Sequence, residues 1–120
     1  MAYPLDASTI AELVDAIHVA VGLRLVAVVL YGPAASGKVW SGERIDLLVV
    51  AEELPPDTLQ RGAYLERLCP PGTLEGTNIL FKTPEEFQAE PEDTYRQMAA
   101  TARILFDSGG FVSARFARLV

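Results

Sequence analysis

A layered α/β (α+β) domain is the fold class predicted by this sequence, on three observations. Two runs, Leu-Val-Ala-Val-Val-Leu within residues 23–31 and Ile-Asp-Leu-Leu-Val-Val at 45–50, lack the alternation of a half-exposed strand. They read as strands covered on both faces. Helix start and stop signals fall between the strand candidates, so helices and strands alternate along the chain. The 120 residues, half of them hydrophobic and 22% charged, are enough for one buried core, and residues 1–120 are expected to form a single domain.

The first element reads as a helix over residues 9–21. Thr9 and Glu12 make a Thr-x-x-Glu capping box, and Ile10, Leu13, Val14, Ile17 and Val21 recur at helical spacing. His18, on the flank of that stripe, is expected to be a half-buried structural histidine. Gly22 ends the helix, and the first strand follows over residues 23–31. Gly32, Pro33, Ser36, Gly37, Ser41 and Gly42 mark residues 32–42 as turn-rich. The second strand, 45–50, carries a charged residue, Asp46, where an apolar one is easier to bury.

Pro55-Pro56-Asp57 opens a second helix running to about residue 68, and Pro70-Pro71-Gly72 closes it. Residues 78–82 read as a third strand. Thr83-Pro84-Glu85-Glu86 signals another helix start, with a capping threonine and proline in the first turn. Glu90-Pro91 interrupts that helix and a further one spans 93–103. A short last strand (104–106), a turn at Asp107-Ser108-Gly109-Gly110 and a terminal helix (111–120) complete the chain. In that last helix the Phe and Leu side chains are expected to dock on the core while the arginines stay solvated.

Composition excludes several functions. Ten Lys and Arg against 16 Asp and Glu give a net charge of −6, which argues against general nucleic-acid binding. The single cysteine, Cys69, and single histidine, His18, rule out an internal disulfide, a cysteine zinc cage and a His-rich metal site. No segment has the length and apolarity of a membrane span, and the start Met-Ala-Tyr-Pro-Leu-Asp lacks signal-peptide character. A cytoplasmic protein is the expectation. The run Glu85, Glu86, Glu90, Glu92, Asp93 reads as helix-start chemistry on a solvated face.

Gly32-Pro-Ala-Ala-Ser-Gly37-Lys38 fits the Walker A spacing G-x-x-x-x-G-K. The match lacks its context. Val39 stands where the magnesium-binding hydroxyl belongs. Only six residues separate Lys38 from Ile45, too few for a crossover helix.

The whole segment Leu30-Tyr-Gly-Pro-Ala-Ala-Ser-Gly-Lys-Val-Trp-Ser-Gly-Glu-Arg-Ile-Asp-Leu-Leu-Val-Val50 resembles the signature of the minimal nucleotidyltransferases of the DNA polymerase β superfamily. In that family a strand ends in Gly-Ser, a short helical turn follows, and the next strand opens with Asp-x-Asp before an apolar run. Leu54-Pro55-Pro56, Thr83-Pro-Glu-Glu-Phe87 and Ile104-Leu-Phe-Asp-Ser-Gly-Gly110 extend the resemblance over residues 23–110. It implies a nucleotidyltransferase-like fold with a small mixed sheet of about four strands flanked by helices. It also implies a site where the Gly-Ser turn meets a nucleoside triphosphate and three carboxylates hold two magnesium ions.

Carried over residue by residue, Gly32 and Asp46 match. The serine position is Pro33, without hydroxyl or N–H, and the first aspartate position is Arg44. The third carboxylate falls at Asn78, which ligates only through a neutral oxygen. Residues 44 and 46 project from one face of a strand, so a guanidinium at Arg44 repels Mg²⁺ by several kcal/mol at an effective dielectric of ~20. Asp46 is thus the one catalytic candidate and, with Glu43, the metal candidate. Gly32, Pro33, Lys38, Arg44 and Asn78 are the nucleotide- or phosphate-binding candidates, while Trp40 is expected to cover the apolar side of the loop, with stacking on a base as the alternative.

The resemblance therefore implies a catalytically degenerate module that binds a nucleoside triphosphate weakly or binds a protein. The partner is then a helical protein, as for antitoxin-like relatives, or a second copy of the chain. The alternative is an active, magnesium-dependent nucleotidyltransferase acting on a small molecule or protein, using Glu43, Asp46 and a further carboxylate such as Asp107.

Overall fold

The structure, a computed structural model, describes residues 7–36 and 45–119. Four strands form one mixed sheet in the order β3-β2-β1-β4. The strands are β1 (Leu25–Tyr31), β2 (Ile45–Ala51), β3 (Thr77–Lys82) and β4 (Arg103–Asp107). Strands β1 and β2 pair antiparallel, β1 and β4 likewise, and β2 and β3 pair parallel. The helices are α1 (Ala7–Val21), α2 (Arg61–Leu68), α3 (Pro84–Ala89), α4 (Glu92–Thr101) and α5 (Phe111–Ala117).

Strand residues alternate between two cores because side chains point to opposite faces of a strand. Val28, Leu30, Leu47 and Val49 pack with Leu13 and Ile17 of α1 and Leu65 of α2. Ala27, Val29, Leu48 and Val50 face the other way, onto Phe87 of α3, Tyr95 of α4, and Val112 and Phe116 of α5. The central strands are buried on both sides, as their continuous apolar runs require.

The local signals place most elements within a few residues. Helix α3 has the capping box predicted at Thr83: its hydroxyl accepts from the Glu86 amide while Glu86 accepts from the Thr83 amide. Four expectations need correction. Helix α1 starts at Ala7 rather than at Thr9, so Thr9 lies inside the first turn, where amides lack intrahelical partners anyway. A 3₁₀ turn at Gly22–Arg24 delays β1 to Leu25, with Gly22 at a φ of 68°. Asp57 caps a 3₁₀ turn, Thr58–Gln60, and α2 itself begins at Arg61. His18 is exposed, its ring lying against Phe106 with centroids 4.8 Å apart.

Helix α5 corrects a fifth expectation. Val112, Phe116 and Leu119 are buried as expected and Arg118 is exposed, but Arg115 is buried. Its guanidinium donates to Gln88 O at 2.9 Å and Glu90 O at 2.6 Å, and lies over the rings of Phe87 and Tyr95. Those carbonyls close α3 and have no intrahelical donor, so Arg115 caps that helix from another element. Among the described residues, no helix is long and apolar enough to cross a membrane.

Candidate functional site at the end of the central strands

The end of β1 and the start of β2 lie side by side because the two strands are antiparallel neighbours. That pairing removes the Walker A reading, which needs a parallel strand–helix–strand crossover. The register sets Tyr31 of β1 opposite Asp46 of β2, and Asp46 opposite Asn78 of β3. Tyr31, Asp46 and Asn78 thus form a row across the sheet. All three share the parity of the strand residues that face α3, α4 and α5, so they open on that side.

Two contacts organise the row. Asn78 Nδ2 donates to Asp46 Oδ1 at 3.3 Å. Behind Tyr31 the chain enters a 3₁₀ turn, Gly32–Ser36, with Gly32 at a φ of 71°. A Cβ on Gly32 would lie 2.8 Å from Asp46 Oδ2, closer than real contacts of that kind. Glycine is therefore required here twice over, by backbone conformation and by the carboxylate beside it. Pro33, next in the turn, is exposed.

The structure brings together Gly32, Asp46 and Asn78 from the sequence-derived candidates. Lys38, Trp40, Glu43 and Arg44 lie outside the described residues. Tyr31 was missed by the sequence reading; its place immediately before Gly32, at the end of the first strand, was the available signal.

Asp107, the further carboxylate in the active-enzyme alternative, is committed elsewhere. It accepts from the Val112 amide at 2.9 Å, the Ser113 amide at 2.8 Å and the Ser113 hydroxyl at 2.7 Å, capping α5. Its register partner on β1 is Ala27, against Tyr31 for Asp46, which separates the two by roughly 13 Å along the strand.

Among the described residues, the donor set does not fit a two-magnesium centre. Such a centre needs several anionic oxygens, and the row offers one carboxylate beside a carboxamide whose N–H points at it. Among the described residues, no three His, Cys, Asp or Glu side chains are grouped to hold a metal ion. Cys69 is buried, its Sγ 4.0 Å from Ala16 O, and burial raises its thiol pKa, which suits a packing role.

The strongest electrostatic perturbation lies away from the row. Arg61 is buried at 3% exposure and donates to Glu86 through both terminal nitrogens, at 2.6 and 3.0 Å. It also reaches Pro55 O at 2.8 Å and Phe81 O at 3.3 Å. The Arg61 hydrogen bonds, then that from Thr83, lower the Glu86 carboxyl to about 2. This fork ties the loop before α2 to the end of β3 and the start of α3, and so fixes the strand that carries Asn78.

No family model matches the chain and no curated protein does. Solved structures do. A toxin–antitoxin structure with AMP-PNP matches at a TM-score of 0.59 and 14% identity, over 96% of this chain and 84% of that one. The toxin–antitoxin MntA–HepT matches at 0.58 and 10% identity, over 95% and 83%. A tri-AMPylated Shewanella oneidensis HEPN toxin in complex with MNT antitoxin matches at 0.53 and 14% identity, over 93% and 78%. At these identities the likeness is one of architecture, and it agrees with the mixed four-stranded sheet: this chain has the fold of a minimal nucleotidyltransferase domain.

Proposed function

We propose that this chain is a nucleotidyltransferase-fold module that binds a nucleoside triphosphate weakly and does not transfer the nucleotidyl group. The observation that carries the reading is the Asp46–Asn78 pair. A carboxamide in register with the one carboxylate keeps the fold's site but removes the negative charge that two magnesium ions need.

In this reading the Gly32 turn and the row behind it receive the nucleotide, with Lys38 and Arg44 meeting the phosphates directly. Asp46 braces the turn and Asn78 holds Asp46. Calorimetric titration of the full chain with ATP, GTP, CTP and UTP tests it. Heat of binding with at least one triphosphate is expected; no heat with any of them removes the reading.

A second reading is favoured by the company of the similar structures, which are toxin–antitoxin complexes. Here the chain acts as an antitoxin-like partner of a helical protein, with or without nucleotide. The rival of both is an active magnesium-dependent transferase. Incubation with labelled nucleotide and magnesium decides against it if no label enters protein or small-molecule acceptors. Label that disappears in Asp46→Ala would establish it.

A further inference from the structure

Asp46 is held by the chain itself at Oδ1, and its Oδ2 is crowded by the turn at Gly32. Oδ1 accepts the Asn78 amide hydrogen bond at 3.3 Å, and Oδ2 lies against the Gly32 backbone, 2.8 Å from where a Cβ would sit. A divalent cation binds through carboxylate lone pairs at about 2.1 Å for magnesium. An amide N–H directed at the same carboxylate brings partial positive charge to the place where the cation would lie. The arrangement persists because β2 and β3 are in parallel register from Ile45↔Thr77 to Val50↔Lys82, which sets residues 46 and 78 side by side.

We infer that Asn78 takes the place of the cation, so that the site works without divalent metal and any nucleotide held there binds equally well when metal is removed. Asn78 is then a specificity-determining residue: a neutral donor that satisfies Asp46 and turns away Mg²⁺ and Mn²⁺. A second carboxylate in its place would oppose Asp46 with like charge, and the pair would be relieved by a cation between them or by taking up a proton. The nucleotide half of this inference rests on the function proposed above, whereas the metal half stands on the Asp46–Asn78 geometry alone.

The test uses Mn²⁺ alone as probe, its free signal followed by electron paramagnetic resonance on the full chain. Wild type is expected to leave the signal unchanged, and Asn78→Asp to bind Mn²⁺ at least roughly tenfold more tightly, the scale on which ligand charge tunes cation sites. Asn78 is exposed, so the core is spared, and Asn78→Glu serves if the aspartate variant fails to fold. Equal Mn²⁺ affinity in wild type and the carboxylate variants overturns the inference, as does wild-type binding that Asp46→Ala abolishes. A parallel thermal shift with ATP should be the same in EDTA and in magnesium, and loss of the shift in EDTA also overturns it. No ATP shift in either buffer counts against the proposed function, while the Mn²⁺ comparison still decides the role of Asn78.

Discussion

A Cβ on Gly32 would lie 2.8 Å from Asp46 Oδ2, so the turn that ends β1 closes directly on the carboxylate at the start of β2. Gly32→Ala should cost about 2 kcal/mol, from a left-handed backbone at a φ of 71° and from displacement of the carboxylate. Urea unfolding measures it. In the Asp46→Ala background the same change should cost less, because the oxygen it meets is gone. Additive costs would show that the two residues do not press on each other.

The Arg61–Glu86 fork should give the protein an acid-sensitive stability. The Glu86 carboxyl is lowered to about 2, against about 4.3 in the unfolded chain, so its contribution is complete above pH ~4.3 and is lost as pH falls toward 2. Glu86 is 38% exposed, and solvent screening reduces the effect to about 1 kcal/mol. Melting curves between pH 6 and pH 2.5 should show a shallower decline in Glu86→Gln than in wild type. Identical slopes would remove the fork from the acid response.

Arg115 should be hard to replace. Removing it leaves the carbonyls of Gln88 and Glu90 without their donors in a part-buried setting, so Arg115→Met should destabilise by about 2 kcal/mol. Arg115→Lys should recover only part of that, since one ammonium cannot reproduce a planar fork between two acceptors stacked on Phe87 and Tyr95. Full recovery by lysine in denaturant titrations would reduce the role to charge alone.

Tyr95 offers a test of the opposite sign. Its ring is fully buried, and its hydroxyl has no hydrogen-bond partner among the described residues. Burial, then the nearby Glu90, pushes its pKa up to about 12. Tyr95→Phe should therefore be neutral or stabilise by up to about 1 kcal/mol near neutral pH. The folded chain holds the phenol proton from pH ~10, where the unfolded tyrosine loses it, up to pH 12, so part of the stability drains away as pH rises through that window. The phenylalanine variant should lose less there, as followed by circular dichroism.

The strands and α3 were legible because their signals are local: an uninterrupted apolar run for β1 and β2, and the Thr83–Glu86 reciprocal cap for α3. Asp46 stood out as a charge inside such a run. What the chain could not reveal locally was register. Tyr31 meets Asp46 at a sequence separation of 15 and Asp46 meets Asn78 at one of 32, through pairings that only the assembled sheet defines. Arg115 escaped notice for the same reason: the carbonyls that justify burying it belong to a helix end 25 to 27 residues earlier. His18 was misjudged because its place beside an apolar stripe suggested shelter that the edge strand bearing Phe106 does not supply.

A thermal shift with ATP, with and without magnesium, on wild type and on Arg44→Asp combined with Asn78→Asp, tests the central claim most directly. Triphosphate at 100 times its Kd adds about 2.7 kcal/mol, a shift of roughly 10 °C in a chain of this size. The expected result is a wild-type shift indifferent to magnesium and a new magnesium-dependent shift in the double variant, whose carboxylates restore the metal site. A wild-type shift that requires ATP and magnesium together would contradict it, and would make this chain a metal-dependent nucleotide binder.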